Sequence, residues 1–316
     1  MKLALIAFDA LDPRVIYSNR NNLPNFDELL DNSMHGKWKT PGHTIPSFTA
    51  TLTGRQYNVF NFHWDEGEGG YQRHRQTGFK YLWEMTDASM TLLNIPVLYP
   101  PEDINGVMVS SMLCPDDLAT SNLALPKDVQ SMLNDMEYIH EVRADKVFDD
   151  LGAEGMLDLL KQTSKKRTEA AYKLIDSYDN DLFYGVWTST DRWFHRGHTH
   201  GVDYFPMYED ADEQLGKMMD KIPDDIPTVV FSDHGFAHYP SDNAVHTGHM
   251  YDGFYAIKND SMPNHRDDTA SIFDLLPTVV NYLGGDIPSA CQGRMLFHTD
   301  DQDDQIKQRL DDLGYL

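Results

Sequence analysis

Apolar and polar positions alternate along the chain in two rhythms. Unbroken apolar runs a few residues long occur at KLALIAF (2–8), MTLLNIP (90–96), GVMVSS (106–111), DLFYGVW (181–187) and IPTVVFS (226–232). Runs of this length predict strands buried on both faces. Between the runs the period changes to that of a helix. Pro24 to Leu30 is a short example. A long one spans about Ala153 to Ser177, with Met156, Leu157, Leu160, Ala170, Ala171 and Leu174 at helical spacing. Met207–Met219 and Thr269–Leu283 complete the set. Strands alternating with helices predict an α/β fold with a largely parallel sheet covered on both faces.

No internal repeat and no long low-complexity linker divides the chain. Its 316 residues, 41% of them hydrophobic, suffice for one large core, so residues 1–316 are expected to form a single domain. The stretch from about 99 to 150 is less regular and rich in Pro, Asp and Met, which predicts a small cap or lid inserted over one end of the sheet.

Charge narrows the partners. Lys and Arg number 26 against 50 Asp and Glu, a formal charge of −24. So few cations cannot displace many counterions from a nucleic acid, and an anionic membrane would repel the chain. The acid excess leans towards Asp, as in DNDLF, DDIP and HTDDQDDQ, and in this the chain resembles haloarchaeal proteins. Salt shortens the range of the self-repulsion such a surface creates. Cys114 and Cys291 form no metal-type pair and are expected to be unpaired thiols. The N-terminal apolar run is interrupted by Asp9 and is too short for a signal peptide, and no stretch approaches a membrane span. A cytoplasmic location is expected. The DDQDDQ run (300–305) reads as a solvated face ahead of a last helix.

Open α/β sheets bind ligands beyond the carboxyl ends of their strands. LALIAF is followed there by Asp9, LFYGVW by TSTDRWFH with Asp191 and His195, and TVVFS by Asp233-His234-Gly235. Three strands thus deliver metal-capable side chains to one edge. A single Asp after a strand is usually a turn residue, so the shared edge carries the inference. VHTGHMYDG adds His246 and His249, either of which is a candidate ligand. His198 and His200, in HRGHTH, belong to a loop lining the pocket or to a separate metal site.

HTIPSFTATLTG (43–54) supplies the remaining chemistry. Pro46 suits a first helical turn and Gly54 the residue just past a helix end, so SFTATLT is expected to be helical. Thr44 or Ile45 then lies at the helix N-terminus. There Thr44 is either a cap or, favoured by free N–H groups and the dipole, a nucleophile towards phosphorus. Trp187, Trp193 and Phe194, which flank Asp191, read as core packing rather than a base-stacking platform.

The set Asp9 in AFDAL, Thr44 in HTIPSFTATLTG, Asp191 and His195 in TDRWFHRGH, Asp233 and His234 in FSDHG, and His249 in GHMYDG resembles the alkaline phosphatase superfamily, in its type I phosphodiesterase/nucleotide pyrophosphatase branch. NIPVLYPPEDINGVMVSSM (94–112) and the ending RLDDLGYL (309–316) also resemble segments of such proteins. The resemblance implies a mixed, largely parallel central sheet with helices on both faces. It further implies two divalent metal ions, Zn2+ or alternatively Mn2+. One would be held by Asp191, His195 and His249, the other by Asp9, Asp233 and His234, with the Thr44 oxygen reaching it. Thr44 would be the nucleophile, forming a covalent ester with a small-molecule phosphoric ester substrate.

One departure stands out. The family usually shows a proline and then His-Gly after its Thr-Gly pair, and GRQYNVFNFHW has neither in place, so Asn58 or Asn61 is the candidate phosphate contact. Formylglycine sulfatases of this fold resemble one another in a Cys/Ser-x-Pro-x-Arg motif. Thr-Ile-Pro-Ser-Phe (44–48) lacks both the modifiable residue and the arginine. Phosphodiester or pyrophosphate hydrolysis is the expected activity. The alternatives are phosphomonoester, phosphonate or sulfuric ester hydrolysis, or a non-catalytic metal-binding relative. Arg55 and Arg192 lie near the motifs as candidate cations.

Overall fold

The computed structural model describes residues 1–56, 79–112, 114, 122–238 and 248–297. Among these residues ten strands run in chain order: β1 (Leu3–Phe8), β2 (Met34–Lys39), β3 (Met90–Leu93), β4 (Gly106–Val109), β5 (Ala124–Leu125), β6 (Leu182–Trp187), β7 (Thr228–Phe231), β8 (Gly235–Phe236), β9 (His249–Met250) and β10 (Asp252–Lys258). The helices are α1 (Pro13–Ser18), α2 (Pro24–Asp31), α3 (Thr44–Thr53), α4 (Lys127–Asp135), α5 (Ala144–Ser177), α6 (Ser189–His200), α7 (Phe205–Lys221) and α8 (Leu275–Tyr282).

Among the described residues the main sheet has the order β2-β10-β7-β1-β6-β3-β4-β5, and β8 pairs with β9 separately. The block β7-β1-β6-β3-β4 is parallel, while β10 and β5 pair antiparallel with its two ends. This is the mixed, largely parallel sheet that the apolar runs predict.

Both faces of the sheet are covered, which is why its strands read as unbroken apolar runs. Along β1, Ala4, Ile6 and Phe8 join one core and Leu3, Leu5 and Ala7 the other. The first core takes Phe26 and Leu29 from α2, Leu160 and Leu174 from α5, and Leu215 from α7. The second takes Phe48 and Leu52 from α3 and Leu276 and Val280 from α8. A chain rotated by one residue on any central strand would exchange its two cores, so register is strongly fixed.

Two helix boundaries are informative. The long helix has non-helical backbone at Gly152 (φ 68°, ψ −174°), and its apolar periodicity begins just beyond, at Ala153. The segment expected to be helical from Thr269 becomes helical later. Lys39 N–H donates to the Ala270 carbonyl and residues 266 and 271 bridge to β2, so this stretch lies extended along the sheet edge. Ser271 then caps a 3-10 turn over Ile272–Asp274 that leads into α8.

Residues 99–150 contribute β4 and β5 to the sheet edge, α4, and the start of α5. Among the described residues Cys114 and Cys291 form no disulfide. Among the described residues no helix is long and apolar enough to cross a membrane. The DDQDDQ run and RLDDLGYL lie outside the described residues.

Candidate active site

Apart from His249, each residue of the candidate cluster sits just past a strand end or on the helix that follows it. Asp9 follows β1, and its backbone N–H still donates to the Trp187 carbonyl at the end of β6. Asp191 lies in the first turn of α6, where the helix dipole suits a carboxylate, and His195 follows one turn later on the same face. Asp233 and His234 follow β7. His249 opens β9, in register with Phe236 of β8. That pairing brings His249 to the cluster. His246 lies outside the described residues.

Thr44 is the first residue of α3, preceded by His43 as the N-cap residue, and Gly54 at φ 65° ends the helix. The threonines of this helix differ in what they bind. The hydroxyls of Thr49, Thr51 and Thr53 donate to carbonyls of the helix itself. The Thr44 hydroxyl instead lies 3.2 Å from His234 Nε2. It makes no capping bond to its own helix, so the cap reading of Thr44 gives way to one in which it faces the cluster.

Around Thr44 the acceptor atoms crowd together. His234 Nε2 is 3.4 Å from Asp9 Oδ1 and 3.3 Å from Asp233 Oδ2. His234 Nδ1 faces the Gly235 carbonyl at 3.0 Å, which fixes the proton on Nδ1 and leaves Nε2 as a lone pair. Nearby, His195 Nε2 and His249 Nε2 are 3.0 Å apart, at 3.4 and 3.3 Å from Asp191 Oδ1. Both Asp9 oxygens, Asp191 Oδ1 and Asp233 Oδ2 are buried without a hydrogen-bond partner. Orphaned buried carboxylate oxygens are costly unless a cation satisfies them.

The donor set fits such cations. Asp191, His195 and His249 form one possible metal-holding group, and Asp9, Asp191 and His234 another. The first three donor atoms lie on a circle of about 1.9 Å radius, just inside the roughly 2.0–2.1 Å bonds of zinc to nitrogen and oxygen. Asp191 belongs to both groups, whereas the sequence reading placed it with His195 and His249 only. Asp233 gives its other oxygen, Oδ1, to the Ala10 N–H at 3.1 Å.

Electrostatics express the same crowding. Burial, reinforced by Asp233 and Asp191, pushes the Asp9 carboxyl well above the usual range. Burial likewise raises Asp233 to about 7. Asp191 differs: burial would raise it, but His195 and His249 outweigh that and hold it well below the ordinary value. Burial, aided by His249, keeps His234 neutral. Two carboxyls that prefer a proton and an imidazole that refuses one are the state expected of a cation site without its charge.

Other sequence candidates fall elsewhere. His200 stacks on Phe148 at 4.3 Å, and nothing is described of the His198 side chain. Trp187 packs on Phe8 and Phe194 on Tyr208, in keeping with a core role. Arg55 lies over the Phe79 ring. Asn58 and Asn61 lie outside the described residues.

Sequence reading missed Phe236. Its buried ring stands edge-on to His195 at 5.1 Å and tilts against His249 at 5.7 Å, which fixes both imidazoles. Its position two residues after His234 was the available signal.

Residues 3–258 match the family described as type I phosphodiesterase / nucleotide pyrophosphatase. The chain belongs to this family. The match covers β1 through β10 and hence every candidate ligand, and it makes the protein a hydrolase of the alkaline phosphatase superfamily. Sequence comparison with curated proteins returns no match.

Solved structures share the fold of this family member. A phosphonate monoester hydrolase from Silicibacter pomeroyi superposes with a TM-score of 0.58 at 14% identity, over 93% of this chain and 75% of its own. Murine ectonucleotide pyrophosphatase / phosphodiesterase 5 gives a TM-score of 0.56 at 12% identity, over 91% of this chain and 96% of its own. An inactive variant of that murine protein, in complex with AMP, gives 0.55 at 11% identity, over 91% and 96%.

Proposed function

We propose that this family member is a two-metal-dependent phosphodiesterase of the nucleotide pyrophosphatase type, acting through a covalent Thr44 ester on a small-molecule substrate. The observation that carries the reading is the convergence of partnerless carboxylate oxygens from Asp9, Asp191 and Asp233 on a threonine hydroxyl that binds no atom of its own helix.

Asp191, His195 and His249 would hold one divalent ion, and Asp9, Asp233 and His234 the other, with Asp191 close to both. When bound, a pair of Zn2+ or Mn2+ ions lowers the pKa of a contacting hydroxyl and offsets charge on the attacking and leaving oxygens of an in-line displacement.

The chain's own residues supply the rest. Thr44 Oγ1 attacks phosphorus, its proton passes to water, and the bond to the leaving oxygen breaks. Water then attacks the same phosphorus, cleaves the P–Oγ1 bond and restores the hydroxyl, releasing a phosphoric monoester. At the head of α3 the first helical bond runs from the Ser47 N–H to the His43 carbonyl, so the N–H groups of Thr44 and Ile45 lie ahead of the first helical donor and favour the anionic phosphoryl group. His234, locked by Gly235 and buried, presents the lone pair of Nε2 3.2 Å from the Thr44 hydroxyl.

The family description and the AMP held by the murine relative support a nucleotide-like phosphodiester or pyrophosphate. The charge of −24 supports a salt-rich cytoplasm as the working medium. The deciding experiment measures bound metal and turnover of purified protein in high KCl against p-nitrophenyl mono-, di- and sulfate esters, with added Zn2+ or Mn2+. Metal-dependent hydrolysis of the diester ahead of the others supports the reading. Two bound metals with no turnover on any ester would convert it into a binding role.

A further inference from the structure

Beside the cluster lies a buried ion triad of which the mechanism uses only Asp191. Arg192 follows Asp191 on α6, and its guanidinium faces two carboxylates at once. Nη1 donates to Asp191 Oδ2 at 2.7 Å and Nε donates to Glu141 Oε1 at 3.1 Å. The side chains are only 15% exposed for Arg192, 5% for Glu141 and 2% for Asp191. Glu141 is itself held from several sides. The Val142 N–H donates to Oε1, and the hydroxyls of Ser111 and Thr188 approach Oε2. Arg167, fully buried, donates in turn to Thr188 Oγ1 at 3.0 Å.

The two oxygens of Asp191 therefore have different fates. Oδ2 is bound by a guanidinium, while Oδ1 is buried without a partner and lies 3.3–3.4 Å from the Nε2 atoms of His249 and His195. We propose that Arg192, anchored by Glu141, is a positioning residue that makes Asp191 a one-oxygen ligand and thereby sets the metal preference of the site. The inference rests on the two-metal reading above.

The physical argument concerns coordination. A free aspartate can turn and present both oxygens, which favours larger ions with more ligands. Zinc prefers four ligands in a tetrahedron. A guanidinium is a planar fork that can hold two carboxylates in fixed relation, which a lysine ammonium cannot. Glu141 keeps that fork from following Asp191 when the carboxylate turns.

The test titrates metal-free protein with Zn2+ and with Mn2+ against a competing chelator, for wild type, Arg192→Met, Arg192→Lys, Glu141→Ala and the Arg192→Met/Glu141→Ala double variant. Circular dichroism and unfolding in chelator check the fold of each. Arg192→Met is expected to lower Zn2+ affinity by about 10–100-fold, the usual effect of removing a residue that orients a metal ligand, and to narrow the preference for Zn2+ over Mn2+. Arg192→Lys, which keeps the charge, is expected not to restore either. Glu141→Ala is expected to weaken Zn2+ binding when Arg192 is present and to do nothing further when it is absent. Should Arg192→Met fail to fold, Glu141→Ala alone decides by the same shift in preference. Unchanged affinity and preference in Arg192→Met, full rescue by lysine, or an equal effect of Glu141→Ala in both backgrounds overturns the proposal while leaving the two-metal reading intact. Wild-type protein that takes up neither ion overturns both.

Discussion

The Thr44 hydroxyl lies 3.2 Å from Nε2 of His234, a residue 190 positions away in the chain. Since Thr44 caps nothing, its removal should cost activity rather than stability. Thr44→Ala is expected to keep its metals and its melting temperature within a few degrees. It should lose roughly a thousandfold or more of its turnover on a chromogenic phosphodiester, as nucleophile deletions do. Retention of near-normal turnover would remove Thr44 from the mechanism.

Metal uptake should depend steeply on pH. Burial raises both Asp9 and Asp233, the latter to about 7, so in the metal-free protein they hold protons that a cation must displace. Apparent affinity measured by chelator competition is expected to climb as pH rises from 5.5 through about 7. The linkage has the matching sign. A carboxyl raised on folding contributes stability that is full below its unfolded pKa and is lost as pH rises through its folded one. Added Zn2+ should therefore raise the melting temperature more at pH 7.5 than at pH 5. Asp233→Asn should make both dependences shallower, and an unchanged slope would count against the assignment.

Gly248 precedes His249 at φ 107°, and a Cβ there would stand 2.5 Å from the Phe236 ring. That ring packs on both His195 and His249. Gly248→Ala is expected to destabilise the protein by about 1–3 kcal/mol, the range for a side chain forced into such backbone, and to weaken metal binding as well. Calorimetric melts with and without chelator would separate the two effects. A variant that melts and binds like wild type would mean that Phe236 does not hold the imidazoles.

His140 offers a probe away from the cluster. Burial lowers its pKa from 6.5 to about 4, and its Nδ1 donates to the Ser110 carbonyl at 3.2 Å. A histidine depressed in this way contributes stability that is full above pH 6.5 and drains away as pH falls towards 4, on the order of 3 kcal/mol in all. Its imidazole resonances should show a midpoint near pH 4 in the folded protein. A midpoint near 6.5 would mean that the site is open to water.

The surplus of acid predicts a response to salt. Raising KCl from 0.1 to 2 M shortens the range of repulsion between carboxylates and should raise the melting temperature, an effect that KCl shares with NaCl. A flat or falling melting temperature would argue against a salt-rich working medium.

Much of the architecture is legible in the sequence because sheets covered on both faces demand apolar runs, and the residue ending each run falls at the ligand-binding edge. Asp9, Asp191 and Asp233 are readable for that reason. The place of His249 is not, because it depends on the pairing of β9 with β8, a contact that leaves no periodicity. The start of the last helix is misread for a similar cause: residues 266–271 are drawn out along β2 by pairing, against their local pattern. Glu141 is invisible as a partner of Arg192, since 51 positions separate them and Glu141 sits in an irregular segment.

The candidate ligands are strung from residue 9 to residue 249. Asp9 meets His234 across 225 positions of chain, and the Asp191–His195 pair meets His249 across more than fifty, so neither half of the cluster is assembled by local contacts. The proposed ions would therefore be held only by molecules whose sheet has already closed.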